Sequence, residues 1–473
     1  MTVGTVAAVD LGATSGRVIL GHVGPRSVEL EHVLRFPNGP IRKPNGLHWD
    51  IDELYRSVLA GLAQALRNHD DILSIGVDSW AVDYALISGG RMLEAPYHYR
   101  DERTSLGVER VHELVSPGEL YLANGLQFLP FNTLYQLETD AAQGRLEKVQ
   151  RFLMVPDLLN FWLGGGEHAE RTNASTTGLL GVATNEWDDV LIERIGLPPT
   201  LFPPLVDAGT TLGPLSESVV RQLGGGSGVR LTTVGSHDTA SAVVAIPAIT
   251  DDFAYISCGT WGLVGVELEN PVLTEASRAA NFTNEGGVDG RVRYLHNVMG
   301  LWLLSESVRT WEAAGQAIEL PRLLEQAALV TGPVAIFDAN DERFLSPGDM
   351  PARIAQWCNE RGIAAPSSPA ELVHSIIESL ADAFSHAVAD AARLSGKSVS
   401  VIHIVGGGSQ NELLCQLTAD RSGLPVLAGP VEATAVGNVL VQARAQGIVS
   451  GDLESMRAIV AASYEPKRYE PRR

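Results

Sequence analysis

Glycine-rich turns placed at the ends of apolar runs constrain this chain more than any other feature. Val3 to Val9 is a strand-like run that stops at Asp10-Leu11-Gly12, and Arg17-Val18-Ile19-Leu20 resumes a strand after Ala13, Thr14, Ser15 and Gly16. A chain that leaves a strand, turns over two glycines and re-enters a strand can present successive amides and two hydroxyls to an anion. Asp10, at the strand end, is where a carboxylate can hold Mg²⁺ through water. The same residues also suit a plain hairpin with a polar tip. The run is not a Walker A loop, since no Gly-Lys-Ser/Thr follows, and it is not G-x-G-x-x-G.

About half the chain later the pattern returns as Ile256-Ser-Cys-Gly-Thr260-Trp-Gly-Leu-Val264, again strand, turn and strand. A third turn, Gly406-Gly407-Gly408, follows the strand-like Val401–Val405 and leads to a helix from Glu412 to about Ser422, stopped by Gly423. Each turn alone is compatible with an ordinary bend. Three in this order point to two similar domains, each contributing a loop, with glycines that let a flat ligand approach the backbone. The apolar pattern is interrupted by Ile246-Pro247 and Asp251-Asp252, which predicts domains over 1–246 and 247–473.

Between the turns, strand and helix patterns alternate, as in an α/β protein. One helix is predicted from Ile51 to about Arg67, with Asp50 and Glu53 resembling a capping box. Another runs from Pro369 to about Leu394, with Ser368 as cap, Glu371 completing the box and Gly396 as stop. With 473 residues the chain exceeds one ordinary core, and its composition, 45% hydrophobic and 19% charged, is that of a globular protein.

The net charge of −21 repels polyphosphate backbones and anionic membranes, so any phosphate ligand must be held by local amides and metal ions. Cys258, Cys358 and Cys415 are too few for a disulfide framework. No run reaches the roughly 20 apolar residues of a membrane span. The first residues lack a basic segment and reach Asp10 too soon for a signal peptide, so a soluble, cytoplasmic protein is expected.

Gly235-Ser236-His237-Asp238-Thr239-Ala240 follows a short strand and precedes small apolar residues that can start a helix. An aspartate there can accept a proton from a substrate hydroxyl, while Ser236 or Asp238 can equally cap the helix. Asp78-Ser79-Trp80-Ala81-Val82-Asp83 sets carboxylates and an indole at a strand end, suiting either a polyhydroxylated ligand or core packing. Asn284 and Asn297 stand beside apolar runs as ligands or caps.

Taken together these residues resemble the FGGY carbohydrate kinases, within the sugar-kinase, actin and chaperone ATPase superfamily. The resemblance runs from about residue 3 to about 440 and rests on Ala8–Arg17, Gly125–Leu137, Ser236–Val243, Asn284–Gly287, Asn297–Leu304, His403–Gly408 and Ala428–Ala433. It implies two ribonuclease-H-like domains with a cleft between them, binding ATP, Mg²⁺ and a sugar, with no nucleic-acid or membrane partner. The implied reaction is phosphorylation of the C1 hydroxyl of a ketose, L-rhamnulose. By the same resemblance Asp238 is the general base, and Ala81, His237, Thr239 and Asn297 join it in binding sugar. Ala13, Thr14, Ser15, Gly16 and Arg17 form the first phosphate loop, Thr260 the second, and Ser305 and Gly407 the nucleotide contacts. Ala81 departs from the glycine, and Ser305 from the glutamine, that the family pattern leads one to expect. The rivals are an FGGY kinase for L-fuculose, a xylulose or glycerol, and an actin- or chaperone-like ATPase.

Overall fold

A computed structural model describes residues 3–472. The chain forms two compact units. The first holds the residues up to Ile249 together with Glu267–Tyr294 and Ala433–Glu465; the second holds Thr250–Val266, Leu295–Glu432 and the residues from Pro466 on. Neither unit is one continuous stretch. Two segments of the second half of the sequence, 267–294 and 433–465, pack with the first unit.

The main sheet of the first unit contains β1 (Gly4–Leu11), β2 (Ser15–Gly24), β3 (Ser27–Pro37), β4 (Ile72–Ser79), β5 (Thr211–Pro214) and β6 (Arg230–Thr232). Their order is β5-β6-β4-β1-β2-β3. β1 is antiparallel to β2 and parallel to β4, and β4 is parallel to β6. All eight residues of β1 are buried, which explains why the run reads as continuously apolar rather than alternating. Three parallel neighbours therefore bring their carboxyl ends to one edge: Asp10, Asp78, and the turn that follows β6.

The helix Ile51–Asn68 buries Ile51, Leu54, Val58, Leu59 and Leu62. The Asp50 carboxylate caps it by accepting from the Glu53 amide, but Glu53 itself pairs with Arg56, so the bond is one-sided. Over this sheet lies the helix Ala433–Ala445, whose Asn438 and Gln442 are buried. Gln442 Nε2 donates to Ala7 O at 3.0 Å and Asn438 Nδ2 to Gly76 O at 3.2 Å. Two amides one helical turn apart thus tie the helix to β1 and β4.

The second sheet contains β7 (Phe253–Cys258), β8 (Gly262–Leu268), β9 (Thr283–Gly286), β10 (Val292–Val298), β11 (Val401–Val405), β12 (Val426–Ala428) and β13 (Lys467–Tyr469), in the order β9-β10-β8-β7-β11-β12-β13. The β7–β8 hairpin repeats the β1–β2 hairpin, and β7, β11 and β12 are parallel as β1, β4 and β6 are. The echo between the two glycine turns is thereby a repeat of topology. The helix Pro369–Ser395 buries a stripe of Leu372, Ile376, Leu380, Phe384, Val388 and Ala391, is capped by Ser368 and ends on a left-handed Gly396. One detail differs from the capping-box expectation. Glu371 accepts from the Ser367 amide at 2.8 Å and its hydroxyl at 2.6 Å instead of closing back on Ser368. Among the described residues no helix is long and apolar enough to cross a membrane.

Gly437 is needed where the helix Ala433–Ala445 crosses the helix Asp238–Val244, since an added Cβ would lie 1.8 Å from Ser241 O. That neighbour is backbone and cannot swing away. Gly437→Ala is expected to cost about 1–3 kcal/mol through overpacking, read as a lower urea midpoint with an unchanged slope.

Candidate functional site

The turn after β1 is latched rather than loose. Gly12 N donates to Ser15 O at 2.9 Å, and Asn38 donates from its backbone to Thr14 O and from its side chain to Gly12 O. Thr14 is exposed at the tip, flanked by the half-buried Ala13 and Ser15, while Gly16 is buried. Arg17 turns back onto Asp10, with Nε 3.0 Å from Oδ2.

Asp10 and Asp78 stand opposite each other on β1 and β4, both buried. Burial pushes the Asp78 carboxyl well above the ordinary aspartate range, and the charges of Asp10 and Asp238 push it the same way; an Asn438 hydrogen bond and the Arg17 charge oppose them. Ser79 N donates to Ser236 O at 2.9 Å and Trp80 N to Leu11 O at 3.2 Å. The strand ends therefore bring Asp10, Asp78, Ala81 and the His237–Thr239 turn into one region of the first unit.

Neither Ser236 nor Asp238 caps the following helix. His237 holds the N-cap position without a side-chain bond, and Asp238 is the first helical residue. Ser236 instead donates from its backbone and hydroxyl to Glu170 Oε2, at 3.0 and 2.7 Å. Asp238 Oδ1 accepts from the Thr239 amide at 2.6 Å, and the side chain keeps 29% of its surface exposed. Burial raises the Asp238 pKa, while His237, the Thr239 donors and Arg293 pull it down.

Behind Asp238 lies a chain of charges. Arg293, fully buried, donates from NH2 to His237 Nδ1 at 3.1 Å and from Nε to Gly286 O at 2.9 Å. Its NH2 is also 3.2 Å from Glu285 Oε2, which is 3.3 Å from His237 Nδ1. Both the guanidinium and the Glu285 carboxylate thus meet Nδ1, while Nε2 on the other side of the ring lies 3.5 Å from Asp238 Oδ1. Glu285 and Glu170 also line a cavity of about 560 Å³ with Asn124, Asp207, Asn284 and Arg291. None of the residues that the resemblance assigns to sugar or nucleotide lines that cavity.

Trp80 and Asp83 are spent within the protein. The Trp80 ring packs tilted against Trp49 with centroids 4.0 Å apart, and Asp83 Oδ2 accepts from the indoles of Trp49 (2.6 Å) and Trp80 (3.1 Å) and from the Tyr99 amide (3.2 Å). Burial pushes the Asp83 carboxyl up to about 7 against these donors. Only Ala81 in the run 78–83 is partly exposed. Asn284 caps no helix; its side-chain amide bridges Gly125 and Val272.

In the second unit, the β7–β8 turn and the end of β11 meet. Ser257 pairs with Val405, and a Cβ on Gly408 would lie 2.3 Å from Cys258 Sγ, so the glycine loop packs on the strand that leads to Thr260. Gly407 is exposed at this edge. Leu301 N and Trp302 N donate to Gly259 O and Thr260 O at 3.0 and 3.1 Å, which docks the helix Trp302–Ala313 on the same turn with Ser305 exposed on it. Asn297 lies on β10, half-buried. Burial lifts the Cys258 thiol to about 12, as befits a small packed residue.

The donor set at the strand ends is hard oxygen with excess negative charge, which suits Mg²⁺. Among the described residues no group of three or more His, Cys, Asp or Glu could hold a metal ion by itself. An ion there would complete its shell with water and substrate oxygens, as Mg²⁺ commonly does.

Models of the FGGY family of carbohydrate kinases match residues 5–245 (N-terminal domain) and 254–446 (C-terminal domain). The chain belongs to the FGGY family and is a sugar kinase. Its relatives include the rhamnulokinase of Bacteroides thetaiotaomicron, 39% identical over 470 residues, covering 98% of this chain and 95% of that one. The rhamnulokinase of Pectobacterium carotovorum is 40% identical over 479 residues, covering 100% and 94%. Among solved structures, gluconate kinase from Lactobacillus acidophilus superposes with a TM-score of 0.80 at 17% identity, covering 100% and 94% of the two chains. Glycerol kinase from Plasmodium falciparum with ADP gives 0.77 at 14%, covering 99% and 94%. These structures share the fold.

Glu170, Arg293, Asn438 and Trp49 escaped the sequence reading. The contacts that bring them to the site, with Ser236, His237, Asp78 and Asp83, span 34 to 360 residues of chain, so no local spacing marks them. Asp83→Asn would place an amide N–H among N–H donors on both sides of the carboxyl. The expected loss is about 1–3 kcal/mol, measured by urea unfolding.

Proposed function

We propose that the protein transfers the terminal phosphoryl group of ATP to the C1 hydroxyl of L-rhamnulose, giving L-rhamnulose 1-phosphate and ADP. The observation that carries this reading is identity of 39–40% along essentially the whole chain to relatives named rhamnulokinase. The geometry around Asp238 supports it. A carboxylate at the first position of a helix, not consumed as a cap and partly exposed, can take a proton from a hydroxyl.

In this reading Asp238 is the base, and Ala81, His237, Thr239 and Asn297 bind sugar. Ala13 to Arg17 and Thr260 face the phosphates, and Ser305 and Gly407 meet the nucleotide. Asp10 holds Mg²⁺ through water. The ion, when bound with ATP, offsets phosphate charge that the protein, at −21, cannot neutralise overall. Phosphoryl transfer depends mainly on positioning and charge stabilisation, so latched turns serve it better than mobile ones.

The deciding experiment is ADP release with Mg·ATP against L-rhamnulose, L-fuculose, L- and D-xylulose, glycerol and no sugar. Selectivity for L-rhamnulose supports the proposal, preference for another acceptor retires the substrate, and equal release without sugar retires the transfer reaction. Asp238→Asn is expected to lower kcat by roughly 10²–10⁴-fold with nucleotide binding retained in a titration.

The pH dependence has a definite sign. A base works ionised, so activity climbs as pH rises through the raised Asp238 pKa, and the acid limb of kcat/KM lies above the ordinary aspartate range. The charge of Arg293 lowers that pKa. Arg293→Met should therefore move the acid limb to still higher pH, in a pH–rate profile recorded where the variant remains folded.

A further inference from the structure

Val82 has a φ of +66° and is buried. A β-branched side chain in left-handed backbone is strained, and such strain persists only where the surroundings hold it. Asp83 N donates to Ala81 O at 2.9 Å, which closes a three-residue turn on Val82. The turn directly follows β4, beside Leu11 and the Ser236–His237 segment.

What holds it comes from the helix Thr133–Ala142. Thr133 Oγ1 donates to Val82 O at 2.7 Å. Gln136 Nε2 lies 3.3 Å from Val82 O, 3.1 Å from Asp83 Oδ1 and 2.9 Å from Phe131 O. Gln136 Oε1 in turn accepts from Arg103 at 3.3 Å, which orients the amide with its donors toward the turn. Thr133 and Gln136 close the run Gly125–Leu137, a stretch distinctive in the sequence whose polar residues the reaction itself does not use.

We propose that Gln136, assisted by Thr133, is a specificity-determining positioning residue that clamps the strained Ala81–Val82–Asp83 turn and so fixes where the Ala81 backbone meets the sugar. The inference rests on the reading of Ala81 as a sugar contact. Ala81 is the partly exposed member of the turn, so any displacement of Val82 or Asp83 is passed directly to it. A displacement of about 1 Å can cost 10²-fold in an oriented reaction.

The test compares wild type, Gln136→Leu, Thr133→Val and Gln136→Leu/Val82→Gly on the best acceptor of the sugar panel and on its nearest epimer. Gln136→Leu should raise the sugar KM roughly 10–100-fold and narrow the discrimination between epimers, with the ATP KM within about twofold. Thr133→Val, a milder change suited to the case in which Gln136→Leu does not fold, should move the same parameters less. Glycine adopts left-handed backbone freely, so adding Val82→Gly should restore Tm but leave sugar KM and discrimination impaired. Recovery of both Tm and sugar KM in the double variant overturns the proposal, as does an unchanged sugar KM in folded Gln136→Leu or Thr133→Val. A wild-type chain that phosphorylates none of the sugars would defeat the functional reading and this inference with it, an outcome visible before any variant is made.

Discussion

Asp10 and Asp78 lie buried at the ends of adjacent parallel strands in the first unit, where little water reaches to screen their mutual repulsion, and Asp238, opening the helix beyond the third strand, adds its charge. Much of the surrounding structure answers that constraint. Arg17 folds back on Asp10, Asn438 donates to Asp78, and Arg293 reaches His237 beside Asp238. Two of these groups are themselves fixed by a further bond: Asn438 accepts from Gln442 Nε2, which also ties to Ala7, and Arg293 donates to Gly286. Burying carboxylates is costly unless opposite charge or donors meet them. The same excess of negative charge makes this edge one that favours a cation.

Rigidity at the site is bought locally, by hydrogen bonds to backbone that would otherwise relax. The turn after β1 is held by Asn38, the Ser236–His237 turn by Glu170 and Thr172, and the Val82 turn by Thr133 and Gln136. In the second unit the glycine loop after β11 gains its position by packing against Cys258 with no side chain between. Such pre-set backbone suits a reaction in which positioning contributes most of the acceleration.

Much was legible in the chain itself. Strand ends at Asp10 and Asp78, the helix from Pro369 with its cap and stop, and the three glycine turns all follow from local rules of period, capping and backbone freedom. Where local rules offered two readings, distant partners decided. Ser236 looked like a helix cap but its hydroxyl goes to Glu170, whose carboxylate sits 66 residues earlier. Trp80 and Asp83 looked ready for a sugar, yet Trp49 and Gln136 use them up. Glu371 reached past Ser368 because Ser367 offered both an amide and a hydroxyl.

The sequence by itself determined the α/β class, the course of the helices with clear caps and stops, and which turns could face an anion, because these depend on residues within a few positions of one another. Only the tertiary structure decided that 267–294 and 433–465 belong with the first unit, that Arg293 and Glu285 stand behind His237, and that Asn438 meets Asp78. The physical reason is that a buried charge must be met by whatever group the fold brings within about 3 Å. That proximity is set by strand order and helix packing, and it leaves no periodic trace along the chain.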